Sequence, residues 1–472
     1  MSRPDMKKGS WSCILKHEGD RVSTVRGQGG KDRDRLQQYR NILERSNSSI
    51  RAAIERVRTD GKADTSLYLY VMVPALTEFV SWVLDKASDS GKKRLYFLSR
   101  DGYQMYLVAV RLVEIRHLQI ECRYLHVSRY SVRLPQYHLE PDKCIDRICT
   151  GGIDVTLERI LQRAALSTEE ASEIVLSIGW QDRKQDILNY RQIQKLKQLL
   201  RSQTKILGYV EKHSSEEYEN AIGYLEQEGL LSDTPYAIVD SGWVGTMQES
   251  IQALVQSRRP ELKTEGYYFG IYELPKGADA GSYHAWYFSQ SGGLRRKAHF
   301  SNSLFETVCS ADEGMTLCYR EKNGKFLPVK VPDGNPNGQQ TGRNLAVLKD
   351  FLAKLEDVPA AWRILPTEKL FTMFMAYPTE TEVFAYGDSL FSDDVLEGNR
   401  KKAAAELTER EIRDQRFFGR LLIGAGIRKA VIHESAWIEG SIVRCGKHVR
   451  RNLAHARLYK YLVFAKKNFN GI

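Results

Sequence analysis

Several features that would give a quick answer are missing from this sequence. Its seven cysteines (Cys13, Cys122, Cys144, Cys149, Cys309, Cys318 and Cys445) are scattered through 472 residues. None forms a Cys-x-x-Cys pair and none has a matching histidine spacing, which argues against a disulfide framework and a structural zinc and fits a reducing cytoplasm. No apolar run reads as long enough to span a bilayer. The opening residues, Met1-Ser-Arg-Pro-Asp-Met-Lys-Lys, lack the apolar centre of a secretion signal. There is no internal repeat of fixed period, which excludes a solenoid or propeller. No zinc finger, RNA-recognition motif or compact base-reading helix is present. Nucleic acid is therefore not the expected partner, although the net charge is +11.

What is present is ample material for a core, with 42% hydrophobic residues, in one large domain with appendages or in two to three domains. Residues 1–33 read as a disordered basic tail. Residues 34–151 hold N-terminal helices and the first half of an α/β core. A polar amphipathic helix covers 35–58, and a more apolar one covers 66–87, with a kink or break expected at Pro74. Residues 152–230 read as a helical insertion. Residues 231–335 form the second half of the core and end in a hairpin turning at Asn323-Gly324. Residues 336–472 read as a helical, basic C-terminal region. The alternation of helix and strand between 66 and 290 predicts a mainly parallel sheet with helices on both faces.

Two stretches carry the chemistry. In the first, the apolar run Leu95-Tyr-Phe-Leu98 ends abruptly in Ser99-Arg100-Asp101-Gly102 and a helical pattern follows. In the second, Tyr236-Ala-Ile-Val239 runs into Asp240-Ser241-Gly242-Trp-Val-Gly245-Thr246 before another helix. Acids at the carboxyl ends of buried strands sit where α/β proteins place their sites. Arg100 offers a fixed cation for a phosphate or carboxylate. The glycines let backbone amides approach an anion, and Ser241 and Thr246 can donate hydroxyl hydrogen bonds. The plainer alternative for each acid is a helix cap. A third strand end, Ser128-Arg129, adds a hydroxyl and a cation to the same rim, with Arg133 close behind; its plainer reading is a basic surface loop.

These residues resemble a known family. Leu76-Thr-Glu-Phe-Val-Ser-Trp-Val-Leu84, Leu95–Gly102, Arg123-Tyr-Leu-His-Val-Ser-Arg-Tyr130, Val239–Gly245 and Leu304-Phe-Glu306 are similar to bacterial proteins described as haloacid-dehalogenase-like hydrolases. Such proteins are linked with glycosyltransferases and surface-polysaccharide synthesis. The resemblance covers roughly residues 65–440 and implies a Rossmann-like α/β fold and a Mg²⁺-dependent phosphohydrolase acting on a phosphorylated sugar. It puts Asp101 at the family's second acid, Ser128 at its Ser/Thr and Asp240 at its late metal-binding acid. Asp101 and Asp240 would then hold the Mg²⁺. Ser99 falls where the nucleophilic acid belongs, a departure that removes one metal ligand, and no lysine can be assigned. Gly387-Asp388-Ser389, with Asp393 and Asp394, resembles the late acidic motif superficially and is read as an exposed loop.

Two other readings stand beside this one. The run Ile238–Met247 is similar to the loop with which phosphoribosyltransferases hold ribose 5-phosphate, although one acid is missing and Val244 replaces a threonine. Alternatively the chain is a non-catalytic accessory that binds a phosphosugar or partners a glycosyltransferase at the membrane. Lys447–Lys467 mixes cations with aromatics as a membrane-surface helix would. Its plainer reading is a basic helix packed on the domain.

Overall fold

The computed structural model describes residues 34–45, 48–152, 154–356, 364–392, 396, 400–424, 427–428 and 432–470. The expected disordered tail, Asp393 and Asp394 lie outside the described residues.

Near the N-terminus a helix covers 34–43 and another covers Ser48–Arg56. The apolar helix comes next. Ala63–Leu67 passes through a π-helical turn, Tyr68–Met72, into α1, Val73–Asp89. Pro74 stands in the first turn of α1. The missing Pro N–H and its ring are absorbed by the wide turn in front of it, so the expected break appears as a π-bulge without a kinked gap. The combined helix Ala63–Asp89 is apolar and long enough to cross a membrane, which corrects the sequence reading. It is 94% buried inside the protein, as a core helix is.

The central sheet has five strands, all parallel: β1 Arg94–Leu98, β2 Glu121–Leu125, β3 Tyr236–Trp243, β4 Glu265–Ile271 and β5 Tyr283–Phe288. Their spatial order is β2-β1-β3-β4-β5. Alternate residues feed opposite faces. Leu95, Phe97, Ala237, Val239 and Phe269 join α1 in one apolar cluster. Tyr96, Leu98, Tyr236 and Ile238 join residues of Thr204–Gln227 and Thr246–Gln256 in another. A sheet covered on both faces needs such continuous apolar strands.

The order of construction reverses between β1 and β3. After β1 the chain goes outward to β2, then returns to the other side of β1 and adds β3, β4 and β5 in turn. That reversal opens a crevice beyond the carboxyl ends of β1 and β3, the general ligand position of open parallel sheets.

The helices around it are α2 Gly102–Arg116, α3 Arg129–Leu139, α4 Thr204–Gln227, α5 Thr246–Gln256 and α6 Asn302–Val308. The helical region between β2 and β3 has its own core, including Ile160, Leu161, Ile174, Leu196 and Val210. That core already takes in Leu134 and Tyr137 of α3, while Ala221, Ile222 and Leu225 of α4 pack on the sheet. The hairpin forms as expected from Thr316–Lys322 and Lys325–Lys330, with Asn323 and Gly324 both at positive φ. Among the described residues, the C-terminal region is mainly helical and includes α7, Phe417–Gly424, and α8, Val449–Asn470.

Candidate functional site

The crevice at the switch point is a cleft of about 410 Å³. Its walls include Ser99, Arg100, Asp101, Ser128, Arg129, Asp240, Ser241, Gly242 and Thr246, so nine of the residues singled out from sequence face one space. Gly102 and Gly245 do not line it. A Cβ on Gly102 would stand 3.0 Å from the carbonyl carbon of Phe97, so this glycine lets α2 fold tightly back on β1. Gly245 turns the chain into α5 at a φ of +67°.

Asp101 precedes α2 but makes no side-chain capping bond to it. Its Oδ2 instead accepts a hydrogen bond of 2.7 Å from the Ser241 hydroxyl on β3. Capping therefore does not account for this acid.

β3 does not turn at Asp240, as the sequence suggested. Pairing with β4 continues through Asp240 opposite Tyr268 and Gly242 opposite Gly270. Gly242 has a φ of +106°, and a Cβ there would come within 2.5 Å of the Gly270 carbonyl oxygen. Only glycine fits such an approach of two backbones. The strand thereby carries Asp240, Ser241 and Trp243 to the rim instead of releasing them into a loop.

Burial and the nearby charge of Asp101 push the Asp240 carboxyl up to about 7, against partial relief from the Ser241 and Gly242 amides and from Arg129. A third acid, Glu306 on α6, also lines the cleft. Burial and Asp101 push its carboxyl up to about 8. Glu306 Oε1 accepts a hydrogen bond of 2.5 Å from the Trp243 indole. Trp243 is itself fixed by an aromatic nest of Tyr272, Phe288, Phe300 and Phe305. Burial and the Asp101 charge thus raise the proton affinity of both Asp240 and Glu306 in one partly enclosed space, the electrostatic pattern typical of functional sites.

Cations face the acids. Arg129 opens α3 and is exposed to the cleft. Arg133 lies one turn deeper and donates to the Thr246 hydroxyl at 2.6 Å. Its Nε is buried with no hydrogen-bond partner among the described residues, and burial beside Arg129 lowers the guanidinium to about 10. Arg163 and Arg400 also line the wall.

Two expected participants are otherwise engaged. The Ser99 hydroxyl donates to the Val127 carbonyl at 2.6 Å and accepts from the Val127 amide at 3.0 Å. It laces β1 to the chain after β2, so its proton is already committed. Ser128 caps α3, accepting from the Ser131 amide, and its hydroxyl donates to the Thr316 carbonyl at 2.6 Å. The loop at Asp388 forms ion pairs with Lys402 and Arg444 and is not among the cleft residues.

Glu306, Arg133, Arg163 and Trp243 were not assigned to the site from sequence. Glu306 carried a signal, as an acid within the otherwise apolar and hydroxyl-bearing turn Leu304–Val308. Arg163 and Arg400 carried none, since only the fold brings them to the cleft.

Among the described residues, no three His, Cys, Asp or Glu side chains are grouped tightly enough to form a ready metal centre. No protein-family model and no curated protein matches this sequence. Fold and cleft together define a parallel α/β protein with an acid- and arginine-lined cleft at its switch point.

Proposed function

We propose that this cleft binds the phosphate of a phosphorylated sugar and, with Mg²⁺, hydrolyses the phosphoester. The carrying observation is that Asp101, just beyond β1, and Asp240, within the neighbouring β3, are 139 positions apart in the chain yet line one arginine-rimmed cleft and are bridged through Ser241. The cleft suits a metal-assisted anion. Asp101 and Asp240 would hold the Mg²⁺, a fit supported by the burial and the neighbouring Asp101 charge that push Asp240 up to about 7. When bound, the ion would offset the acids and polarise the phosphoryl group. Arg129 and Arg133 supply fixed positive charge for phosphate oxygens. Glu306, with its carboxyl near 8, still carries a proton at neutral pH and is the group able to protonate the departing sugar oxygen.

Ser99 takes no covalent part in this reading, because its hydroxyl is tied to Val127. Water is the attacking group. The likeness of Leu95–Gly102 and Val239–Gly245 to haloacid-dehalogenase-like hydrolases supports surface-polysaccharide metabolism as the setting and a glycosyltransferase as a partner.

The test is phosphate release from a panel of sugar phosphates and p-nitrophenyl phosphate, with and without Mg²⁺, for the wild type, Asp101→Asn and Asp240→Asn. Mg²⁺-dependent release lost in both variants supports hydrolysis. Pyrophosphate release from an activated ribose phosphate would instead support the phosphoribosyltransferase reading.

One observation favours binding without turnover, namely the loss of a nucleophile at Ser99. If no phosphate is released while sugar phosphates still raise the unfolding temperature of the wild type, the protein is a phosphosugar-binding accessory. Neither release nor protection would reject both.

A further inference from the structure

The excess positive charge of this protein peaks at its two ends, and most strongly at the second. Residues 416–470 contain twelve Lys and Arg against two acids; of these cations Arg428, Arg444, Lys460 and Lys467 pair with Asp414, Asp388, Glu439 and Glu273. Much of this stretch lies on α7 and α8, which pack side by side. Arg416 donates to Asn452 at 2.9 Å, and the Arg420 guanidinium sits 4.5 Å over the Tyr459 ring. Among the described residues, no carboxylate pairs with Arg416, Arg420, Lys447, Arg450, Arg451 or Lys466.

Large apolar side chains are exposed on the same two helices. On α7, Phe418, Leu421 and Leu422 recur at helical spacing on a side turned away from Arg416 and Arg420. Phe418 is 67% exposed, and Ile427, just beyond the helix, is 75% exposed. On α8, Leu458 and Leu462 lie one turn apart and are exposed. Exposed Arg451 precedes them on the helix and exposed Lys466 follows them. Apolar groups in such a cationic field do not suit water.

We propose that α7 and α8 form a docking face for an anionic membrane surface. The apolar side chains enter the headgroup–acyl boundary while the surrounding cations meet lipid phosphates and carboxylates. Charge complementarity selects this occupant. A second copy of the chain would bring two strongly positive faces together. A nucleic acid would satisfy the arginines but leave Phe418, Leu421 and Ile427 in water. The inference does not depend on the reaction in the cleft.

The test is sedimentation of the full chain with phosphatidylcholine vesicles, with and without phosphatidylserine. We compare the wild type with the paired variants Phe418→Ser/Leu421→Ser and Arg450→Glu/Arg451→Glu. Binding to the anionic vesicles should weaken with salt, and each variant should lose about tenfold in affinity. All four positions are at the surface, so unfolding temperatures should stay unchanged. Equal binding to both vesicle types, or none, overturns the proposal. So does binding that survives the apolar pair but is lost with the charge pair and competed by RNA, since that marks a polyanion site. A dimer in lipid-free solution that the apolar pair abolishes also overturns it in favour of self-association.

Discussion

The Ser241 hydroxyl reaches across from β3 to Asp101 Oδ2 at 2.7 Å, joining the two strand ends on either side of the sheet's switch point. That bond fixes where the Asp101 charge lies, and burial together with that charge raises both Asp240 and Glu306. The cleft is therefore held together by geometry and strained by electrostatics. Sites kept for function commonly carry such a stability cost.

Asp240→Asn should make the metal-free protein more stable. The folded-state pKa is raised from 3.8 to about 7, so the folded state holds the proton more tightly than the unfolded chain. Stability from this group is greatest below 3.8 and is lost as pH rises toward 7. Asparagine keeps an acceptor for the Ser241 and Gly242 amides but carries no charge. The gain should grow across that window to on the order of 1–3 kcal/mol. Thermal unfolding of both proteins across the range, in the presence of chelator, reads the difference directly. A constant gap at all pH values would mean that the Asp240 charge is not the source.

Mg²⁺ should raise the unfolding temperature of the wild type, and more at pH above about 7, where Asp240 no longer holds a proton. The same addition should leave Asp101→Asn and Asp240→Asn unmoved. Calorimetry at two Mg²⁺ concentrations checks this. An equal shift in all three proteins would place the ion elsewhere.

Ser99→Ala should damage the fold more than the chemistry. The substitution leaves the Val127 amide and carbonyl without their hydroxyl partner, at a cost of about 1–3 kcal/mol. Phosphate release per folded molecule should fall by less than about tenfold, because water is the attacking group in the proposed reaction. Denaturant unfolding gives the first number and single-substrate kinetics the second. A loss of many orders of magnitude in kcat with stability intact would restore Ser99 as the nucleophile.

The first strand end was legible because its signals are local. Leu95–Leu98 is apolar throughout, and Ser99–Gly102 breaks it sharply. A mainly parallel sheet covered on both faces was legible from the alternation of helix and strand between 66 and 290 and from the apolar runs that became β1 and β3. The second strand end misled. Asp240-Ser-Gly-Trp looks like a turn, but Gly242 pairs with Gly270, and no local pattern announces a backbone partner 28 residues later. The role of Glu306 was hidden in the same way, because it depends on an indole bond from Trp243. The buried helix Ala63–Asp89 shows the converse, since hydropathy alone cannot distinguish a core helix from a membrane span.

Gly242→Ala should be among the most damaging single-methyl changes in the protein. The added Cβ meets the Gly270 carbonyl oxygen at 2.5 Å, and the φ of +106° is unfavourable for any L side chain. Clash and strain together should cost about 3 kcal/mol or more, enough to lower soluble yield. Gly102→Ala, whose nearest contact is 3.0 Å, should cost less. Urea unfolding midpoints of the two variants rank them, and the reverse order would contradict the close β3–β4 approach.

Glu306→Gln tests the acid in the proposed reaction without disturbing its surroundings. Glutamine still accepts from the Trp243 indole, so the aromatic nest and the unfolding temperature should hold or improve. It cannot give up a proton in the same way, and kcat should drop about 10²-fold. Because burial and Asp101 push the wild-type carboxyl up to about 8, the wild-type rate should decline as pH rises through that value. The residual rate of Glu306→Gln should lack that alkaline limb. Trp243→Phe separates positioning from charge: without the indole donor, Glu306 loses a bond that favours its ionised form. The alkaline limb should then move to higher pH. A pH–rate profile that is identical in wild type and Glu306→Gln would remove Glu306 from the chemistry.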